Sequence, residues 1–136
     1  MKQILVMMMV VFVGCGKDTP EASEAESQAN QKLIVEKAIR ESLKKPEGEL
    51  TEAELGKITM LNLIKTRITD EGLKEVAKLQ NLKELSLDNT KITDTGLKDV
   101  AKLQKLCWLD LRHTQATKAG VAELQKALPI CDIYGP

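Results

Sequence analysis

Aromatic side chains are nearly missing from this chain, which has one phenylalanine, one tryptophan and one tyrosine in 136 residues. Three rings cannot tile a surface, so an aromatic platform for stacked bases is excluded. Histidine occurs once, at His113, which rules out a site built on two imidazoles and leaves a metal centre short of its commonest ligands. An excess of one charge is missing too: twenty basic residues balance twenty acidic ones. With no basic excess there is no electrostatic footprint for nucleic acid. No apolar run reaches the ~20 residues of a membrane-spanning helix. There is no nucleophile elbow, phosphate loop or paired-histidine zinc helix, so no catalytic residue, metal or cofactor is expected.

What is present divides the chain into four parts. Ile4 to Val13 is a run of ten apolar residues preceded by Lys2. That length fits the hydrophobic segment of an export signal, assigned to residues 1–14. The residues that follow, Phe12-Val13-Gly14-Cys15, resemble the lipobox of bacterial lipoproteins, although Phe12 stands where leucine is usual. The resemblance implies acylation of Cys15 and an exported protein held to the membrane by its lipid anchor, at the periplasmic face or the cell surface. Each buried acyl CH₂ contributes ~0.8 kcal/mol, so two or three chains make the anchor permanent. An ordinary cleaved signal followed by a free thiol is the alternative.

Between Gly16 and Gln31 no side chain is more apolar than alanine, proline or threonine. Such a stretch cannot offset its ordering entropy, and residues 15–32 are expected to form a disordered tether of ~20–25 Å. Leu33, Ile34, Val35, Ala38, Ile39 and Leu43 then mark one face of an amphipathic helix, stopped by Pro46-Glu47-Gly48. Thr51 with Glu54 reads as a capping box, flanked by Leu50 and Leu55 at staple positions. Residues 33–57 are thus a helical cap.

From residue 58 the chain repeats itself. Ile58 to Asn81 and Leu82 to Lys105 agree at 14 of 24 positions without a gap, Leu106 to Pro129 agrees with the second copy at seven, and Ile130 begins a partial fourth. Each copy opens with leucines at alternate positions (Leu61 and Leu63, Leu85 and Leu87, Leu109 and Leu111), the signature of a short strand buried on one face. Thr66, Thr90 and Thr114 follow, able to bond backbone groups in the turn. The period then becomes helical, with Thr69 or Asp70 available to cap. No rung buries its leucines alone. Stacking about seven apolar columns, at ~1.5–3 kcal/mol each before entropy, supplies the stability.

The pattern L-x-x-L-x-L-x-x-T-x-I-T-D-x-G-L resembles the threonine variant of the leucine-rich repeat found in planctomycete-type proteins. The segment from Val35 to Thr51 resembles the helical cap of internalins, and Ala127-Leu128-Pro129-x-Cys131-x-Ile133 resembles the end of such arrays. The third copy departs from the pattern, with Ala116 for isoleucine and Lys118 for aspartate. The resemblance implies an α/β solenoid over residues 58–136: three 24-residue rungs plus a partial fourth, a concave parallel sheet, convex helices and a helical N-terminal cap. It also implies a protein-binding module that meets an unknown protein partner on the concave face; the chain is expected to be a monomer.

On that face the resemblance sets Met60, Asn62, Ile64 and Lys65, then Glu84, Ser86, Asp88 and Asn89, then Trp108, Asp110, Arg112 and His113, and last Asp132 and Tyr134. The expected partner-binding set is Trp108, Arg112, Tyr134, Asp88, Asp110 and Glu84, because tryptophan, tyrosine and arginine dominate binding hot spots. The alternative is that the two rings only cover the open end of a short stack, in a non-catalytic spacer of an envelope assembly. A hydrolase-like enzyme is the remote alternative, resting on His113 with Asp110 and Asp88; a solvated charged face explains the same residues. Cys107 and Cys131, one period apart, are expected in one column on neighbouring rungs, as a disulfide or as two packed thiols.

Overall fold

The computed structural model describes residues 20–136, with side chains from Ser27 onward. The expected signal segment, Cys15 and the first residues of the expected tether lie outside the described residues. The elements are α1 (Pro20–Leu43), α2 (Glu52–Leu55), β1 (Met60–Asn62), α3 (Asp70–Val76), β2 (Glu84–Ser86), α4 (Asp94–Val100), β3 (Trp108–Asp110), α5 (Lys118–Ala127) and β4 (Asp132–Tyr134). The strands form one parallel sheet in chain order. Each pairing is offset by a full repeat, so Met60, Glu84, Trp108 and Asp132 stand side by side, as do Asn62, Ser86, Asp110 and Tyr134. The helices stack behind the sheet, α1 on α3, α3 on α4 and α4 on α5.

Alternation in the strands and helical spacing behind them converge on one core. Leu61, Leu63, Leu85, Leu87, Leu109 and Leu111 are buried from the strand side, and Leu73, Val76, Leu97 and Val100 from the helix side. In the turn after each strand a threonine hydroxyl donates to the carbonyl three residues back: Thr66 to Leu63 at 2.8 Å, Thr90 to Leu87 at 2.7 Å and Thr114 to Leu111 at 2.7 Å. The residue before each threonine is left-handed, with φ of 59° at Lys65, 60° at Asn89 and 55° at His113. Asparagine and histidine enter that conformation more readily than lysine does.

A second ladder joins the rungs. Threonine takes the N-cap of α3, α4 and α5, and at α3 and α4 the aspartate beside it, Asp70 or Asp94, reaches to the next rung instead of capping its own helix. Asp70 Oδ1 accepts from the Thr93 amide at 2.8 Å and Asp70 Oδ2 from the Thr93 hydroxyl. Asp94 repeats the arrangement with the Thr117 amide at 2.7 Å and hydroxyl at 2.6 Å. These bonds to the ionised form, the hydroxyl of Thr117 first, hold the Asp94 carboxyl below its ordinary pKa. The carboxylates lie where a side chain on the glycine of the next rung would be: a Cβ on Gly96 would collide with Asp70, and one on Gly120 with Asp94.

The first rung has no preceding aspartate, and Gln31 of α1 takes its place. Gln31 Oε1 accepts from the Thr69 amide at 2.7 Å, its Nε2 donates to the Arg67 carbonyl at 3.1 Å, and the side chain lies over Gly72. Helix α1 starts at Pro20 and not near Leu33, so residues 20–32 are helical where a disordered coil was expected. The Gln31 contact and packing of Val35, Ala38 and Ile39 hold its second half on the first rung. Leu33, expected on the apolar face, is 63% exposed.

The terminal rung also departs from expectation. Helix α5 has ten residues where α3 and α4 have seven. The chain slips by one position after it: Leu128 and Cys131 are buried, and Ile130 is 75% exposed although Ile58, Leu82 and Leu106 of its column are buried. Gln125 Nε2 closes the loop by donating to the carbonyls of Leu128 at 3.0 Å and Cys131 at 2.9 Å. As a result Cys107 is exposed and Cys131 buried, and both are free thiols. They do not share one environment, because the slip turns only the second inward. Among the described residues no helix is long and apolar enough to cross a membrane.

Candidate functional site on the concave sheet

The strand residues that alternate with the buried leucines form the concave surface. Glu84 is exposed in β2, and Trp108 and Asp110 flank Leu109 in β3. Tyr134 ends β4 at 50% exposure. Trp108 and Tyr134 are diagonal neighbours in the register, and their ring centroids lie 5.8 Å apart at an interplanar angle of 47°. A tilted pair at this distance gains ~0.5–1.5 kcal/mol beyond its area burial. It leaves part of each ring open to solvent.

Asp110 is 1% exposed and lies between Ser86 and Tyr134 in the sheet register. Its Oδ1 accepts from Arg112 Nε at 2.9 Å and from the Arg112 amide at 3.1 Å, and its Oδ2 accepts from Arg112 Nη2 at 2.6 Å. The Arg112 guanidinium is the largest cause holding the Asp110 carboxyl below its ordinary pKa, against the opposing effect of burial. Asp110, expected as a contact residue, is buried with both carboxylate oxygens bonded to Arg112. It fixes the planar guanidinium of Arg112, whose side chain remains 58% exposed. Asp88 Oδ1 lies 2.7 Å from Nδ1 of His113, whose side chain is 75% exposed.

The fold thus brings Trp108 to Tyr134 and Arg112 to Asp110, and sets Glu84 beside Trp108 in the neighbouring strand. Asp132, on the other side of Trp108, completes a column that the expected set included only in part. Its signal in the sequence was its period-24 spacing from Trp108. Met60 and Ile64 leave 54% and 37% of their surfaces open at the first rung. Among the described residues no cluster of three or more His, Cys, Asp or Glu side chains is placed to hold a metal ion.

One strand, a tight turn and one helix every 24 residues, stacked into a parallel sheet, define a leucine-rich-repeat solenoid, a fold that commonly serves protein interaction. Residues 78–101 match the leucine-rich repeat family. Among solved structures, the chain is similar to internalin C2 from Listeria monocytogenes, with 26% identity, a TM-score of 0.52, and 74% of this chain and 52% of that chain covered. The chain thus spans about half the length of that relative. It is also similar to Mex67:Mtr2 subunits from Chaetomium, with 18% identity, a TM-score of 0.53, and coverage of 88% of this chain and 73% of that chain. No curated protein gives a significant sequence match.

Proposed function

We propose that this chain is an exported, lipid-anchored, monomeric module that binds another protein through its concave sheet. In this reading three full rungs and a partial fourth stand behind an internalin-like cap made of α1 and α2. The observation that carries the proposal is the combination on one face of the Trp108–Tyr134 pair with an Arg112 held by buried Asp110. Large side chains already held in place lose little freedom on association, which is how a face only ~15 Å across can bind selectively. Export and anchoring are supported by the sequence: Lys2, the apolar run from Ile4 to Val13, and Gly14-Cys15. Acid–base chemistry by His113 would rest on Asp88 alone, since Asp110 is consumed by Arg112.

The Trp108–Tyr134 contact also favours a second reading, a non-catalytic spacer in which the rings only cover the last strand pair. Cross-linking mass spectrometry in the native cells separates the two. A partner captured by the wild type and lost in Trp108→Ala/Arg112→Ala supports recognition by the concave face. Equal capture by both proteins favours the spacer.

A further inference from the structure

The charges of the concave face are unevenly satisfied. Arg112 is taken up by Asp110, and Asp88 faces His113. Glu84 and Asp132 remain. Both are exposed, and among the described residues neither carboxylate has an ion-pair partner. The register sets them on either side of Trp108, at Glu84↔Trp108 and Trp108↔Asp132. With strands ~4.8 Å apart, the two carboxylates straddle the indole at a span of ~10 Å. Tyr134 walls the same spot from the diagonal position.

Resting on the concave-face reading, we propose that the Glu84–Trp108–Asp132 column receives a lysine or arginine side chain from a basic segment of the protein partner. A cation over an indole face gains attraction from the ring, and a carboxylate on each side adds Coulomb attraction at short range. The surroundings select the same sign. Glu84, Asp88, Asp110 and Asp132 give four carboxylates against the one guanidinium of Arg112, while Lys65 and His113 stand in the turns at the rim. An acidic segment meets repulsion there. A basic one is steered in, with a salt dependence that reports the steering.

Trp108 is the only tryptophan, so its fluorescence reports this column alone. The full chain is titrated with a tryptophan-free peptide alternating arginine and glycine, with its glutamate and glutamine counterparts, and with spermidine. The expected result is a saturable change with the arginine peptide only. It weakens with added salt and falls about fivefold or more in Glu84→Gln/Asp132→Asn, two exposed isosteric changes that leave the melting temperature in place. Equal responses to all three peptides, no response to any, or an arginine titration unchanged by the double substitution would each overturn the proposal. A response to spermidine as strong as that to the peptide would replace the protein segment with a small polyamine. If the cross-linked partner is lost with Trp108→Ala but kept with Glu84→Gln/Asp132→Asn, the basic side chain is ruled out and concave-face binding stands.

Discussion

The Asp70 carboxylate accepts from the amide and hydroxyl of Thr93 one rung away, and it occupies the space that a side chain on Gly96 would need. Aspartate, threonine and glycine of the repeated T-D-x-G motif are therefore parts of one contact between rungs. Asp94, Thr117 and Gly120 repeat it, and Gln31 stands in for the aspartate at Thr69 and Gly72.

Removing Asp70 leaves the Thr93 amide without its acceptor, so Asp70→Ala is expected to cost ~1–3 kcal/mol in urea unfolding. Gly96→Ala forces the carboxylate aside and costs a similar amount. The double substitution costs less than the two costs added together, because the carboxylate that the new Cβ strikes is gone. Strict additivity would mean that the two residues do not act as a unit.

Gln31→Ala tests the same idea at the other end of the array. It strips the acceptor from the Thr69 amide and the donor from the Arg67 carbonyl, and α1 is expected to detach before the rungs unfold. Hydrogen exchange on α1 should accelerate while exchange on β2 and β3 stays slow. Uniform acceleration would tie α1 to the global core.

Lys65 holds φ of 59° with no glycine or asparagine chemistry to ease it. Lys65→Asn is expected to stabilise the fold by ~0.5–1 kcal/mol, read as a higher midpoint of denaturation. Asn89→Val, in the same position of the next rung, should lower it by ~1–2 kcal/mol.

Glu54 carries the acid sensitivity of the α2 cap. Its bonds to Lys45 Nζ, at 2.8 Å, and to the Thr51 amide hold its pKa down to about 2 from an ordinary 4.5. A depressed carboxylate stabilises fully above the unfolded value, and that contribution is lost as pH falls from about 4.5 towards 2. Comparing denaturation midpoints at neutral and acid pH, wild type should lose more stability over that window than Glu54→Gln. Parallel curves would contradict the coupling.

Of the two cysteines in the rungs, Cys107 should react with a thiol reagent in the folded protein and Cys131 only on unfolding. Burial is the largest cause of the rise in the Cys131 pKa to about 11, with Cys107 and Asp132 adding to it.

Much of the scaffold was legible because its signals are periodic. The leucine columns, the threonine turn and the Thr51–Glu54 capping box follow from spacing and residue type alone. Gln31 was not legible. It stands in an alanine-, serine- and glutamate-rich stretch, and its role emerges only once Thr69 is known to lack a preceding aspartate. The slip after α5 was hidden for a related reason: it changes which residues face inward, Leu128 and Cys131 in place of Ala127 and Ile130, without changing the register of β4. At the candidate site, alternation located Trp108, Tyr134 and Glu84 on the open face. It could not tell that Asp110, on that same face, would be buried through its bonds to Arg112 and its neighbour across the sheet, Tyr134.

The most direct measurement is the affinity of the cross-linked partner for purified wild type, for Trp108→Ala, and for a convex-face control, Lys98→Ala/Lys102→Ala. Concave-face recognition predicts that Trp108→Ala weakens binding by ~10-fold or more, about 1.4 kcal/mol, while the control binds as wild type does. Loss of binding in the control with full affinity in Trp108→Ala would move the interface to the helices and contradict the account.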